Sequence, residues 1–235
     1  MTAAEVIAEL KALGSESYKN TMLKHGTREP IFGVKIDDMK KKIVQRVKMD
    51  YQLALELYDT GVYDAQYLAG LIADDMQMTK KDLQRWVENA NGPMNCEFTV
   101  PWVAAGSKHG WELALKWIDS KKDDFAAAGW ATLSSLAAIK DDSELDIPGL
   151  KKLLERVQKT IHDAPNRVRY CMNNFVIAVG AYVKALTGAA LQVARKISDV
   201  EVELVGSCKL PSAVDYIEKI QKKGAVGKKR KSAKC

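Results

Sequence analysis

The chain has 235 residues, 47% of them hydrophobic and 28% charged, with a formal net charge of +6. That size and balance fit one large globular domain or a short repeat array, and they exclude a disordered or fibrous chain. No apolar run approaches the roughly 18 residues that a membrane-crossing helix needs. The charge is unevenly spread. Lys219, Lys222, Lys223, Lys228, Lys229, Arg230, Lys231 and Lys234 all follow Glu218, with no acidic residue among them, and removing those eight leaves residues 1–218 at about −2. A nucleic-acid role for the body therefore rests on how its charges are arranged. "MTAAEVIAELKALG" has no basic leader region, so no signal peptide and a cytoplasmic location are expected. Cys96, Cys171, Cys208 and Cys235 are far apart in sequence, which offers no zinc knuckle and no CxxC pair, and reduced thiols are expected.

Helix signals dominate from the start. In "TAAEVIAELKALG" Val6, Ile7, Leu10 and Leu13 share one face, Thr2 can cap and Gly14 can stop the turn. "IDDMKKKIVQRVK" repeats the pattern with Ile36, Met39, Ile43, Val44 and Val47. "YQLALELYDTG" closes on Gly61, and "VYDAQYLAGLIADDM" follows with Tyr63, Tyr67, Leu68 and Leu71. "TKKDLQRWVENANG" starts at a capping Thr79 and ends at Asn91-Gly92-Pro93. "HGWELALKWIDS" and the small-residue-rich "DDFAAAGWATLSSLAAI" come next, and Asp146-Ile147-Pro148 opens "GLKKLLERVQKTIHDA". "NNFVIAVGAYVKAL", "AALQVARKISDV" and "SAVDYIEKIQKKG" complete the set. Only "VEVELVG", Val200 to Gly206, alternates as a strand would, and an extended connection fits it equally. The expected fold is all-α, a right-handed α-solenoid of HEAT-like helical repeats over residues 1–218, followed by a basic tail over residues 219–235. A compact helical bundle is the alternative.

Few residues point to chemistry. Trp86, Trp102, Trp111, Trp117 and Trp130 cluster, and helical spacing assigns most of them to a core. Trp102 stands apart because Pro101 interrupts the helical pattern beside it, so it is the candidate stacking residue. The doublets Asp37-Asp38, Asp74-Asp75, Asp123-Asp124 and Asp141-Asp142 sit at helix ends, where solvated caps explain them without a metal. His25, His109 and His162 are far apart, no hydrolase motif or phosphate loop is present, and no cofactor is expected. Glu97 in "MNCEFTVPW" is the one carboxylate among apolar neighbours, and is the weak candidate for a catalytic group. Arg167 and Arg169 stand at a helix start, where a phosphate can be held. Lys228, Lys229, Arg230 and Lys231 are the tail's candidates for DNA phosphates, in a segment too polar to pack a core.

"REPIFGVKIDDMKKKIVQ" and "LALELYDTGVYDAQYLAGLIA" resemble the opening of the DNA alkylation repair enzyme family, in Gly33-Val34 before a basic helix, Leu57-Tyr58, the acidic Asp64 and Tyr67-Leu68-Ala69. "PWVAAGSKHGWELALKWI", "AGWATLSSLAA" and "NNFVIAVGAYV" fall where that family's middle and late repeats lie, and "CKLPSAVDYIEKIQKKGAVGKKRK" looks like the ending of a subgroup. The resemblance implies a HEAT-like solenoid related to 3- and 7-alkylpurine DNA glycosylases. Active members grip damaged DNA on a concave basic face, flank the sugar with aromatic rings and stabilise its developing charge with a carboxylate. The alkylated base is already cationic, so the reaction needs no general acid.

The departures are as informative. Pro101 or a neighbour stands where the resemblance implies the catalytic aspartate, Leu133 where it implies an arginine, and Ala181 where it implies a tryptophan. The expectation is a DNA-binding protein, on duplex or branched DNA, with lost or altered base excision. An active alkylpurine glycosylase using Glu97 is one alternative. A scaffold that binds a protein partner on its concave face is another.

Overall fold

A computed structural model describes residues 1–206 and 208–235, among which there are thirteen helices and no strand. They divide into two units, Met1–His109 with Lys234–Cys235, and Gly110–Ala233.

In the first unit, α1 (Ala3–Leu13) starts at a capping box in which Thr2 and Glu5 exchange backbone and side-chain bonds, and it buries Val6 and Leu10. α2 (Glu16–Lys24) has no counterpart among the sequence-predicted elements. Its residues are mostly polar and only Met22 is buried, so it carries almost no apolar stripe; the Ser15 hydroxyl, accepting from the Tyr18 N–H, fixes its start. α3 spans residues 36–47 and includes a π-helical turn at Lys40–Val44. α4 (Tyr51–Asp59) is capped by Asp50, and α5 (Tyr63–Ile72) is buried along almost its whole length. α6 (Lys80–Glu88) opens on the capping box of Thr79 and Asp82. α7 covers residues 92–106 and runs straight through Pro101, where the sequence suggests a break. The widened π-helical turn Asn95–Thr99 lies just before the residue whose missing N–H interrupts the α-helical ladder, and it absorbs the defect.

The interior of this unit contains a satisfied polar network. The Asp64 carboxylate, 1% exposed, accepts from the N–H groups of Phe32 (2.6 Å), Gly33 (3.3 Å) and Val34 (2.7 Å), and so fixes the segment leading into α3. Burial pushes this carboxyl up, and the three N–H groups push back without overcoming it. Asn91 donates to the carbonyls of Arg28 and Gly61 and accepts from the Arg28 N–H. The Gln66 side-chain oxygen accepts from the Asn91 N–H and from Asn95, while its amide donates to the Asn89 carbonyl. Such groups are tolerable in a core only because each has its partner.

The second unit contains α8 (Gly110–Ile118), α9 (Asp123–Ile139), α10 (Ile147–Thr160), α11 (Asn166–Tyr182), α12 (Thr187–Lys196) and α13 (Ala213–Lys222). Its core runs through Trp130, Leu133, Leu150, Leu154, Val157, Phe175, Val179 and Ile217, with the Trp130 and Phe175 rings 5.2 Å apart at their centroids. The small residues of α9 let it approach α8 closely: a Cβ on Gly129 would stand 2.7 Å from the Ile118 nitrogen and 2.9 Å from the Ala114 oxygen. Gly129→Ala must therefore push two helix backbones apart, and a loss of about 1–3 kcal/mol in urea unfolding is expected despite alanine's better helix propensity. Residues 201–206 form a connection and not a strand. Among the described residues no single helix is long and apolar enough to cross a membrane.

Candidate nucleic-acid interface

The chain after α13 does not behave as a solvated tail. In the second unit the Gly227 N–H donates to the Ala181 carbonyl (2.9 Å), and the Arg230 N–H donates to the Ala138 carbonyl (2.8 Å). Lys229 Nζ donates to the Ala137 carbonyl (3.0 Å) and pairs with Asp142 (2.8 Å). Ala137, Ala138 and Ala181 lie in the last turns of α9 and α11, whose carbonyls have no partner within their own helices. The tail supplies those partners, and its cation sits at the negative end of the α9 dipole. Hydrogen bonds to helix ends hold this polar segment. In the first unit, Lys234 Nζ repeats the device on the carbonyl of Ala73, just beyond α5 (2.7 Å), and on Asp75 (2.7 Å), while Cys235 Sγ lies 3.0 Å from the Tyr67 hydroxyl. Asp75 and Asp142 are thus not simple solvated caps; each receives a lysine from the tail.

This anchoring sorts the basic candidates. Lys229 is a fastening, its side chain only 14% exposed. Lys228, Arg230 and Lys231 on either side of it are exposed. So are Lys219, Lys222 and Lys223 at the end of α13, which were not singled out as site residues from sequence. Nearby Glu218 pairs with Arg195 (3.4 Å), which offsets one of the acidic groups on that helix. Six exposed cations therefore lie on or directly after α13, on backbone that is held in place.

The other candidates are placed differently. Arg169 donates to the carbonyls of Ala164 (2.6 Å) and Glu201 (3.2 Å), and Asn166 exchanges two bonds with the backbone of Glu203 (2.8 and 2.7 Å). The α11 start is therefore occupied by the backbone of Glu201 and Glu203, exposed residues whose carboxylates would repel a phosphate. The Arg167 guanidinium lies 4.6 Å from the centre of the Tyr170 ring. Trp102 is 7% exposed and packs edge-on against Tyr67 (5.6 Å) and Phe98 (6.1 Å), so it has little ring left for a base. Glu97, on the π-helical turn of α7, is 5% exposed. Pro101, Leu133 and Ala181 are likewise buried. Among the described residues no group of three or more His, Cys, Asp or Glu is placed to hold a metal ion.

The comparisons with known proteins concern nearly the whole chain. A family model described as DNA alkylation repair enzyme matches residues 6–217. The uncharacterized protein Lin0241 of Listeria innocua is 30% identical over 225 residues, covering 93% of this chain and 97% of that protein. The uncharacterized protein Lmo0209 of Listeria monocytogenes is 28% identical over 233 residues, with the same coverage. One solved structure, described as "a new family of proteins related to the HEAT-like repeat DNA glycosylases with affinity for branched DNA structures", superposes with a TM-score of 0.91 at 35% identity, over 100% of both chains. The all-α, HEAT-like fold expected from the sequence is the fold of that structure.

Proposed function

This chain belongs to the DNA alkylation repair enzyme family, and from that premise we propose that it binds branched DNA through the basic C-terminal edge of its second unit and does not excise bases. The observation that carries the binding is the set of exposed cations, Lys219, Lys222 and Lys223 at the end of α13, and Lys228, Arg230 and Lys231 beside the Lys229 anchor. Without the tail, the ends of α9 and α11 would present bare carbonyls to a phosphate. With it, they present lysine and arginine. Fixing the tail beforehand also lowers the ordering entropy that a flexible arm would lose on binding. The solved relative has affinity for branched DNA, which supports the choice of ligand.

Three positions support the absence of excision. Pro101 or a neighbour, Leu133 and Ala181 stand where the family resemblance implies an aspartate, an arginine and a tryptophan; these three named residues are apolar and buried, and the nearby carboxylate Glu97 is 5% exposed. A departing cationic base would leave its sugar's positive charge without a carboxylate to stabilise it.

The test is base release from DNA carrying N-methylated purines, beside binding to a four-way junction and a linear duplex of equal length. Release no faster than in a protein-free control, together with tighter binding to the junction, is expected. Enzyme-dependent release that disappears in Glu97→Gln would overturn the non-excising reading.

A further inference from the structure

We propose that Tyr216 is a base-stacking residue, and that with Lys219 and Lys223 it receives an unpaired nucleotide of the DNA held by this edge. Among the described residues Tyr216 is the one exposed aromatic side chain, at 52%; every tryptophan and phenylalanine and the other tyrosines are buried or half-buried. It lies on α13, whose packed face carries Ile217, about 100° round the helix from it, at 0% exposure against Gly180 of α11. Helical spacing places Lys219 three residues and Lys223 seven residues beyond Tyr216, on the same outward face. α13 is held at its start, where the Ser212 hydroxyl accepts from the Asp215 N–H.

An exposed aromatic ring on a packed helix, with cations one and two turns away, offers the two things a single strand needs: a π-face for a base and positive charge for the phosphates beside it. A base inside a duplex is already stacked on its neighbours and gains nothing from the ring. The site therefore selects DNA in which a base is unpaired, which adds a base-dependent contribution to the phosphate attraction of the edge. The inference rests on the DNA-binding reading above.

The experiment compares the full chain with its Tyr216→Ala and Tyr216→Phe variants, on a fork with a short single-stranded gap and on a blunt duplex, at fixed salt. Tyr216→Ala is expected to weaken gapped-fork binding about 5- to 150-fold, to change duplex binding less than about 2-fold and to leave the salt slope unaltered; Tyr216→Phe should bind as the parent does. Photocrosslinking with iodouracil in the gap should label the Tyr216 peptide of the parent. Equal weakening on fork and duplex, or none on either, overturns the stacking role while leaving the DNA-binding reading intact. A parent chain that binds neither DNA overturns both.

Discussion

Asp64→Ala is expected to destabilise the protein by about 3–5 kcal/mol, read as a fall in the urea midpoint at pH 7. The reason lies in the donors it would abandon. Phe32, Gly33 and Val34 all direct their N–H groups at one carboxylate, and a buried donor without an acceptor costs about 1–3 kcal/mol. The segment cannot turn to water instead, since Ile31, Gly33 and Val34 are buried. A Cβ on Gly33, which has φ +77°, would come within 2.5 Å of the backbone of Ser15 and Lys19, so the turn has no room to rearrange. Asp64→Asn retains one acceptor oxygen and turns an amide N–H2 toward the remaining donors, so roughly half that loss is expected. A neutral result for Asp64→Ala would show that the loop is held by its neighbours and not by the carboxylate.

The largest effect on binding is expected from Lys228→Ser, Arg230→Ser and Lys231→Ser combined. At about 100 mM salt the triple variant should bind a four-way junction about 10- to 100-fold more weakly, because each cation removed is one fewer phosphate neutralised. Stability should hardly change, since these three side chains are exposed and the tail's fastenings, Lys229 and the backbone N–H groups of Gly227 and Arg230, are retained. Asp142→Ala makes the opposite cut. It removes the acid that holds Lys229 and leaves every exposed cation in place, so it should loosen the tail and weaken binding only about 2- to 5-fold, the lost ordering being offset in part by a newly available lysine.

Much of the fold was legible because helices advertise themselves through apolar spacing and caps: Thr2, Thr79 and Asp146 all cap where the sequence places helix starts. α2 was not, since its stability comes from a serine cap and one buried methionine. Pro101 misleads for a definite reason, namely that a π-helical turn can absorb a missing N–H that an α-helix cannot. The candidate site was legible in its charge and not in its placement. Nothing in "GKKRK" distinguishes Lys229, which reaches Asp142, from its neighbours, which reach solvent; that pairing spans 87 positions of chain and exists only after α9 has formed (229 against 142). Arg169 was equally opaque, because its partners are backbone carbonyls, which no side-chain pattern encodes. Tyr216 did leave a signal, an aromatic followed at helical spacing by two lysines in "DYIEKIQKK".

The most direct test of DNA binding by this edge is the salt dependence of junction binding, measured on the full chain and on the triple variant between about 50 and 200 mM monovalent salt. For the parent, with about five or six phosphates neutralised, the slope of log affinity against log salt should lie near −5, and the triple variant should reduce its magnitude by about 3. Equal slopes for the two proteins would contradict a role for the C-terminal edge and move the DNA, if bound at all, to another face.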